Sequence, residues 1–139
     1  MKLIALALML IVQSAVAMDR FAALSMIESG DDDTARGEDG EVSRFQIRRE
    51  AWCQITNAPI SEASDPKVAV AVARELAAAR CHAFEREYGR PPTDVEFYIL
   101  WNAPSEIAHP KAPVLERAER FANLVSVNTG RASQRAGGV

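Results

Sequence analysis

The sequence predicts a mostly α single domain of four or five helices, with at most a short strand or extended segment near residues 41–47. Apolar residues recur at helical spacing in several separate stretches, and most of these carry a recognisable start or stop signal. Only Val42, Phe45 and Ile47 hint at alternation. The chain of 139 residues, 48% hydrophobic and 25% charged, has the size and composition of one ordinary globular core.

Residues 1–17 read as an export signal. Lys2 gives a positive start, Leu3 to Val12 an unbroken apolar stretch, and Ala15-Val16-Ala17 a small-x-small cleavage pattern. The stretch is too short for a comfortable membrane span. A buried first helix or an uncleaved anchor is the alternative. Cleavage would leave an exported protein, periplasmic or secreted, with no membrane span, a domain over 18–130 and a loose tail over 131–139.

Asp19 can cap a helix running through Glu28, with Phe21, Leu24 and Ile27 at helical intervals and Gly30 as its stop. Asp31 to Gly40 is acidic, bears glycine and lacks apolar periodicity, which describes a solvated loop. Arg48 to Ile55 suits one or two helical turns around Trp52, and Pro59 to Ser64 a connector. The strongest helix opens at Asp65-Pro66 and ends at Gly89. Its apolar residues form two faces: Val68, Val72, Leu76, Ala79 and Ala83 on one, and Val70, Ala73, Ala77, Cys81 and Phe84 on the other. Such breadth predicts a helix packed on more than one side. Thr93 to Glu96 has the capping-box pattern and opens a buried helix through Phe97–Trp101, ended by Pro104. A last helix fits Val114 to Val127, with Val114, Ala118, Phe121 and Val125 on one face.

The formal charge of −3 argues against nucleic-acid binding, which needs clustered Lys and Arg. Cys53 and Cys81 are the only thiols. In an oxidising compartment they could form one disulfide closing a loop of roughly 28 residues, worth about 3 kcal/mol; equally, each could be a small buried hydrophobe. No His or Cys pair has zinc-ligand spacing, so no metal is expected.

Glu28 falls on the apolar face of its helix, four residues after Leu24 and seven after Phe21. A carboxyl aimed at a core or cleft is desolvated and holds its proton, the property of a general acid. A glutamate at a frayed helix end, free in water, is the plainer reading of the spacing alone.

The surrounding segments add to this. Glu28-Ser29-Gly30, followed by Gly40-Glu41-Val42-Ser43-Arg44-Phe45-Gln46-Ile47, resembles the signature of the soluble lytic transglycosylases, which share the fold of goose-type lysozyme. That pattern is a Glu-Ser pair followed by Gly-Ala-x-Gly-Leu-Met-Gln. Asp65-Pro66 resembles the start of the family's next helix, and Tyr98-Ile99-Leu100-Trp101-Asn102-Ala103 the helix bearing its Tyr-Asn-Ala-Gly motif. The resemblance spans roughly Phe21 to Ala103.

It implies a lysozyme-like domain that cleaves peptidoglycan glycan strands, with Glu28 as catalytic acid and base and no metal or other cofactor. Ser29 would support the local turn and the carboxyl. Ser43, Arg44, Phe45 and Gln46 would line the cleft, Trp101 would stand at the motif tyrosine and Asn102 at its asparagine. The sequence departs from the pattern at Ser43 for glycine, Arg44 for leucine, Phe45 for methionine and Pro104 for glycine. Trp101 lacks a hydroxyl, so phenolic assistance is absent or comes from Tyr98. Read as residues alone, Trp101 also suits a core, Asn102 a structural amide, and Gln46 a bond to loop backbone. A hydrolytic muramidase needs a second carboxylate, for which Glu41 is the nearest candidate and Asp33 and Asp39 weaker ones. A wall-binding module without turnover is a third expectation. The negative charge gives no attraction to an anionic wall, and association with a larger envelope assembly is not legible.

Overall fold

A computed structural model describes residues 18–133, with side chains to residue 126. The expected signal at 1–17 and the end of the expected tail, 134–139, lie outside the described residues. Five helices follow in order: α1 (Arg20–Ser29), α2 (Arg49–Ile55), α3 (Pro66–Tyr88), α4 (Asp94–Asn102) and α5 (Ala112–Ser133). Short 3₁₀ turns occupy Ile60–Ser64 and Pro104–Glu106, and there is no strand among the described residues. The all-α single domain is thus as the sequence predicts.

The helix boundaries follow local chemistry. Asp19 accepts from the Phe21 and Ala22 amides at the start of α1, and Asp65 does the same for Lys67 and Val68 at the start of α3. Thr93 and Glu96 form a complete capping box on α4. Gly30 and Gly89 take left-handed conformations just beyond α1 and α3. α5 runs on to Ser133, past the expected end at Val127 and through Gly130, so residues 131–133 are helix and not tail. A lone glycine costs a helix only about 1 kcal/mol, too little to end it.

α4 is the buried centre. Phe97, Tyr98, Ile99, Leu100 and Trp101 are all buried, so the middle of this short helix is enclosed on every side and only its two ends are part-exposed. α5 packs along it, with Phe121 stacked on Phe97 at 5.6 Å between centroids and tilted against Tyr98 at 5.5 Å. α3 touches α1, α2 and α4, which agrees with its broad apolar surface. Ala69, Val72, Ala73, Leu76, Ala77 and Phe84 are buried, whereas Ala79 and Ala83 are exposed. The inward surface of α3 is therefore narrower than its composition suggests, because alanine is equally at home in water. Trp52 anchors α2 in the core and donates its indole N–H to the Ala58 carbonyl at 2.8 Å.

Cys53 and Cys81 are free thiols. Trp52 takes the inward side of α2 and leaves Cys53 exposed, while Cys81 is half-buried on α3 against the core. Among the described residues, no helix is long and apolar enough to cross a membrane.

Candidate active site

The last turn of α1 carries Glu28, and the chain then reverses tightly. The Gly30 amide donates to the Met26 carbonyl at 3.0 Å and the Asp31 amide to Ser25 at 3.3 Å, a glycine-terminated closure of the helix. The Ser29 hydroxyl donates to the Arg44 carbonyl at 2.8 Å and accepts from the Asp32 amide at 3.1 Å. Ser29 thus supports the turn as expected, but through backbone groups and not through the Glu28 carboxyl.

The segment that Ser29 grips is a tight loop closed by Val42 and Ile47, which exchange both backbone hydrogen bonds at 3.0 and 2.9 Å. Ser43 and Gln46 sit at φ 69° and 51°, left-handed conformations unusual for residues with a side chain. Ser43 is fully buried, and its Oγ accepts from the Phe45 amide at 3.2 Å. Phe45 is buried against Trp101. Arg44 turns away to pair with Asp33 through two contacts of 2.6 and 2.9 Å. Ser43, Arg44 and Phe45 therefore build the loop without facing the groove. Gln46 does face it, its amide donating to the Ser43 carbonyl at 2.9 Å.

α4 brings the third part. The Tyr98 hydroxyl donates to Glu28 Oε1 at 2.7 Å, across 70 residues of sequence. Trp101 is buried and donates its indole N–H to the Phe45 carbonyl at 3.2 Å, so it lines the groove with little exposed surface. Asn102, the last residue of the helix, lines the groove, and its amide makes no hydrogen bond among the described residues.

These pieces surround an open groove of about 840 Å³. Its lining includes Glu28, Glu41 and Gln46, Leu76 and Arg80 of α3, Trp101 and Asn102 of α4, and Arg117 of α5, with further residues from α2 and from the turn after α4. Glu28 is half-buried. Burial pushes its pKa up, and the Glu41 charge adds to that; the Tyr98 hydrogen bond and the Arg117 charge pull it down, leaving it raised. The Tyr98 phenol is held well above its usual range by burial and by the neighbouring Glu28 charge, so it serves as a hydrogen-bond donor.

Glu41 is held in the groove wall. It accepts from the Asp39 amide at 3.1 Å and pairs with Arg48 at 3.5 Å. Its carboxylate lies over Gly37, where a Cβ would collide with Glu41 Oε2 and stand 2.8 Å from Gln46 Oε1. Glycine at 37 thus lets both side chains sit side by side. Of the weaker second carboxylates, Asp33 is taken by Arg44, and Asp39 is exposed.

Sequence reasoning misses Gly37, Arg80 and Arg117. Arg80 is the most visible of them in retrospect, a cation four residues after the core residue Leu76 in an alanine-rich stretch of α3. Among the described residues no cluster of three or more His, Cys, Asp or Glu could hold a metal ion. The chain matches no family model, no curated protein and no solved structure.

Proposed function

We propose that the protein is an exported peptidoglycan lytic transglycosylase that cleaves the β-1,4 bond between N-acetylmuramic acid and N-acetylglucosamine. The observation that carries the reading is a half-buried carboxyl, Glu28, whose pKa is raised by burial and whose Oε1 is fixed by the Tyr98 hydroxyl at 2.7 Å within an open groove. The groove volume falls in the range of small-ligand clefts, about 300–1,000 Å³. Further support is the convergence on that one groove of Glu28, Gln46 and Asn102, three of the residues that the resemblance assigns to the glycan cleft, although Ser43, Arg44 and Phe45 do not line it. Ser43 stands where the family pattern has glycine and adopts the left-handed backbone that glycine favours.

In this reading the Tyr98 bond occupies Oε1 and leaves Oε2 to carry the acidic proton. Glu28 gives that proton to the bridging oxygen as the bond from the muramic C1 to that oxygen breaks. The substrate's own acetamido group stabilises the cationic carbon, a substrate-assisted route that needs no second carboxylate. Glu28, now ionised and still bonded to Tyr98, takes the proton of the muramic 6-hydroxyl. That oxygen then closes on C1, giving a 1,6-anhydro end and a free N-acetylglucosamine 4-hydroxyl. Gln46 and Asn102 supply hydrogen bonds that hold the strand.

One observation favours hydrolysis as a second reading: Glu41 shares the groove, and its charge is felt at Glu28. A carboxylate placed there could activate water. Mass spectrometry of digested cell wall separates the two, anhydro ends marking transglycosylation and reducing ends hydrolysis. A Glu28→Gln protein that clears wall as well as the parent would defeat both, and wall binding with no clearing by the parent itself would leave a binding module.

A further inference from the structure

Arg80 is a half-buried cation for which the fold supplies no acid. It stands one turn after Leu76 on α3, and both residues line the groove. Its Nη1 donates to the carbonyls of Leu100 at 3.0 Å and Trp101 at 2.6 Å, and its guanidinium lies 5.8 Å from the Trp101 ring centre. Those carbonyls end α4 and carry partial negative charge, which offsets part of the cost of burying a cation but not a full unit. Burial lowers the Arg80 pKa with no neighbouring acid to oppose it. Four other arginines do have an acid: Arg20 pairs with Asp94, Arg44 with Asp33, Arg48 with Glu41 and Arg90 with Glu96. Among the described residues the Nε and Nη2 hydrogens of Arg80 have no acceptor. A planar guanidinium with donors to spare, beside Asn102, matches a carboxylate better than it matches a sugar hydroxyl.

We propose that Arg80 is a carboxylate-recognition residue of the groove, which holds the negatively charged substituent of a wall glycan and so selects carboxylate-bearing strands over neutral polymers of N-acetylglucosamine. The proposal rests on the glycan-cleaving reading above. It also supplies locally the attraction that a chain of net charge −3 lacks as a whole. The carboxylate has two sources of the same chemistry, the lactyl ether of a muramic residue without peptide and the peptide attached to one.

Titration calorimetry on the Glu28→Gln protein, which should bind without turnover, tests it. The probes are a peptide-free tetrasaccharide of alternating N-acetylglucosamine and N-acetylmuramic acid, its peptide-bearing form, its carboxyl-reduced form and chitotetraose. At least one carboxylate-bearing probe should bind roughly tenfold or more tightly than the reduced one. Preference for the peptide-free acid identifies the lactyl group, and preference confined to the peptide-bearing strand identifies the peptide. Adding Arg80→Gln, which can still donate to the α4 carbonyls, should bring that ratio close to one, and Arg80→Lys should keep part of it; thermal melts check that both fold. Equal affinity for charged and reduced strands, read on protein with Arg80 intact, overturns the inference whatever the variants do, as does a preference that survives Arg80→Gln in a folded protein. Glycan binding without charge preference sinks this inference alone, whereas no binding to any of the four probes sinks the proposed function with it.

Discussion

At the scale of single residues, the Glu28 carboxyl is set by opposing influences, and each can be removed separately. An acid catalyst must keep its proton at the working pH, so activity should fall as pH rises through the raised Glu28 value. Tyr98→Phe removes an influence that lowers that value. The descending limb of the pH–rate profile should therefore move to higher pH while the maximal rate drops, by roughly tenfold to a hundredfold for one lost hydrogen bond to a charged group. A limb that moves to lower pH would contradict the assigned role of Tyr98. Glu28→Gln should cost about two to four orders of magnitude in rate yet stabilise the fold at neutral pH. The folded pKa lies above the ordinary value of 4.5, so the contribution of Glu28 to stability is complete below 4.5 and is lost as pH rises through the folded value. Thermal melts should place the Gln variant above the parent at pH 7, with the gap closing on acidification towards 4.5. A gap that widens on acidification would show that Glu28 is not held protonated by burial.

At the scale of elements, the loop between Val42 and Ile47 positions the site through its backbone. Ser43 is strained at φ 69° but accepts from the Phe45 amide. Ser43→Ala keeps the strain and leaves that buried amide without an acceptor, a cost of about 1–3 kcal/mol. Ser43→Gly loses the same hydrogen bond but relieves the left-handed strain, so it should be the milder change although it removes more atoms. Denaturant melts that rank glycine below alanine would show that the hydroxyl and the backbone angle are unrelated. Helices were legible in the sequence because their signals are local: Asp19, Asp65 and the Thr93–Glu96 box are caps in the structure as in the pattern. The loop is legible as apolar spacing and as a motif resemblance, neither of which fixes its side-chain directions. Which of its side chains face the groove depends on left-handed angles at Ser43 and Gln46 that no periodicity encodes. Arg44, an apparent cleft residue, instead meets Asp33 because the intervening chain folds back on itself.

At the scale of the whole molecule, core and groove are two sides of one helix. Glu28 could be singled out from its spacing and motif, whereas Gly37, Arg80 and Arg117 matter only through partners that tertiary packing brings together. The same packing couples stability to chemistry. Phe121 of α5 lies against Tyr98 and Phe97, and Tyr98 in turn fixes Glu28. Phe121→Ala should cost about 3–5 kcal/mol through the cavity it leaves, and it should also free the Tyr98 ring to shift. Loss of the Tyr98 bond would raise the Glu28 pKa further, so the descending limb of the pH profile should move to higher pH, in the same direction as for Tyr98→Phe. The measurement is a pH–rate profile taken well below the lowered melting temperature, alongside the melt itself. A fall in melting temperature with an unmoved limb would show that Tyr98 holds its place without Phe121. A limb shifted as in Tyr98→Phe would mean that a fully buried apolar side chain, with no atom in the groove, sets the proton affinity of the carboxyl that the groove exposes.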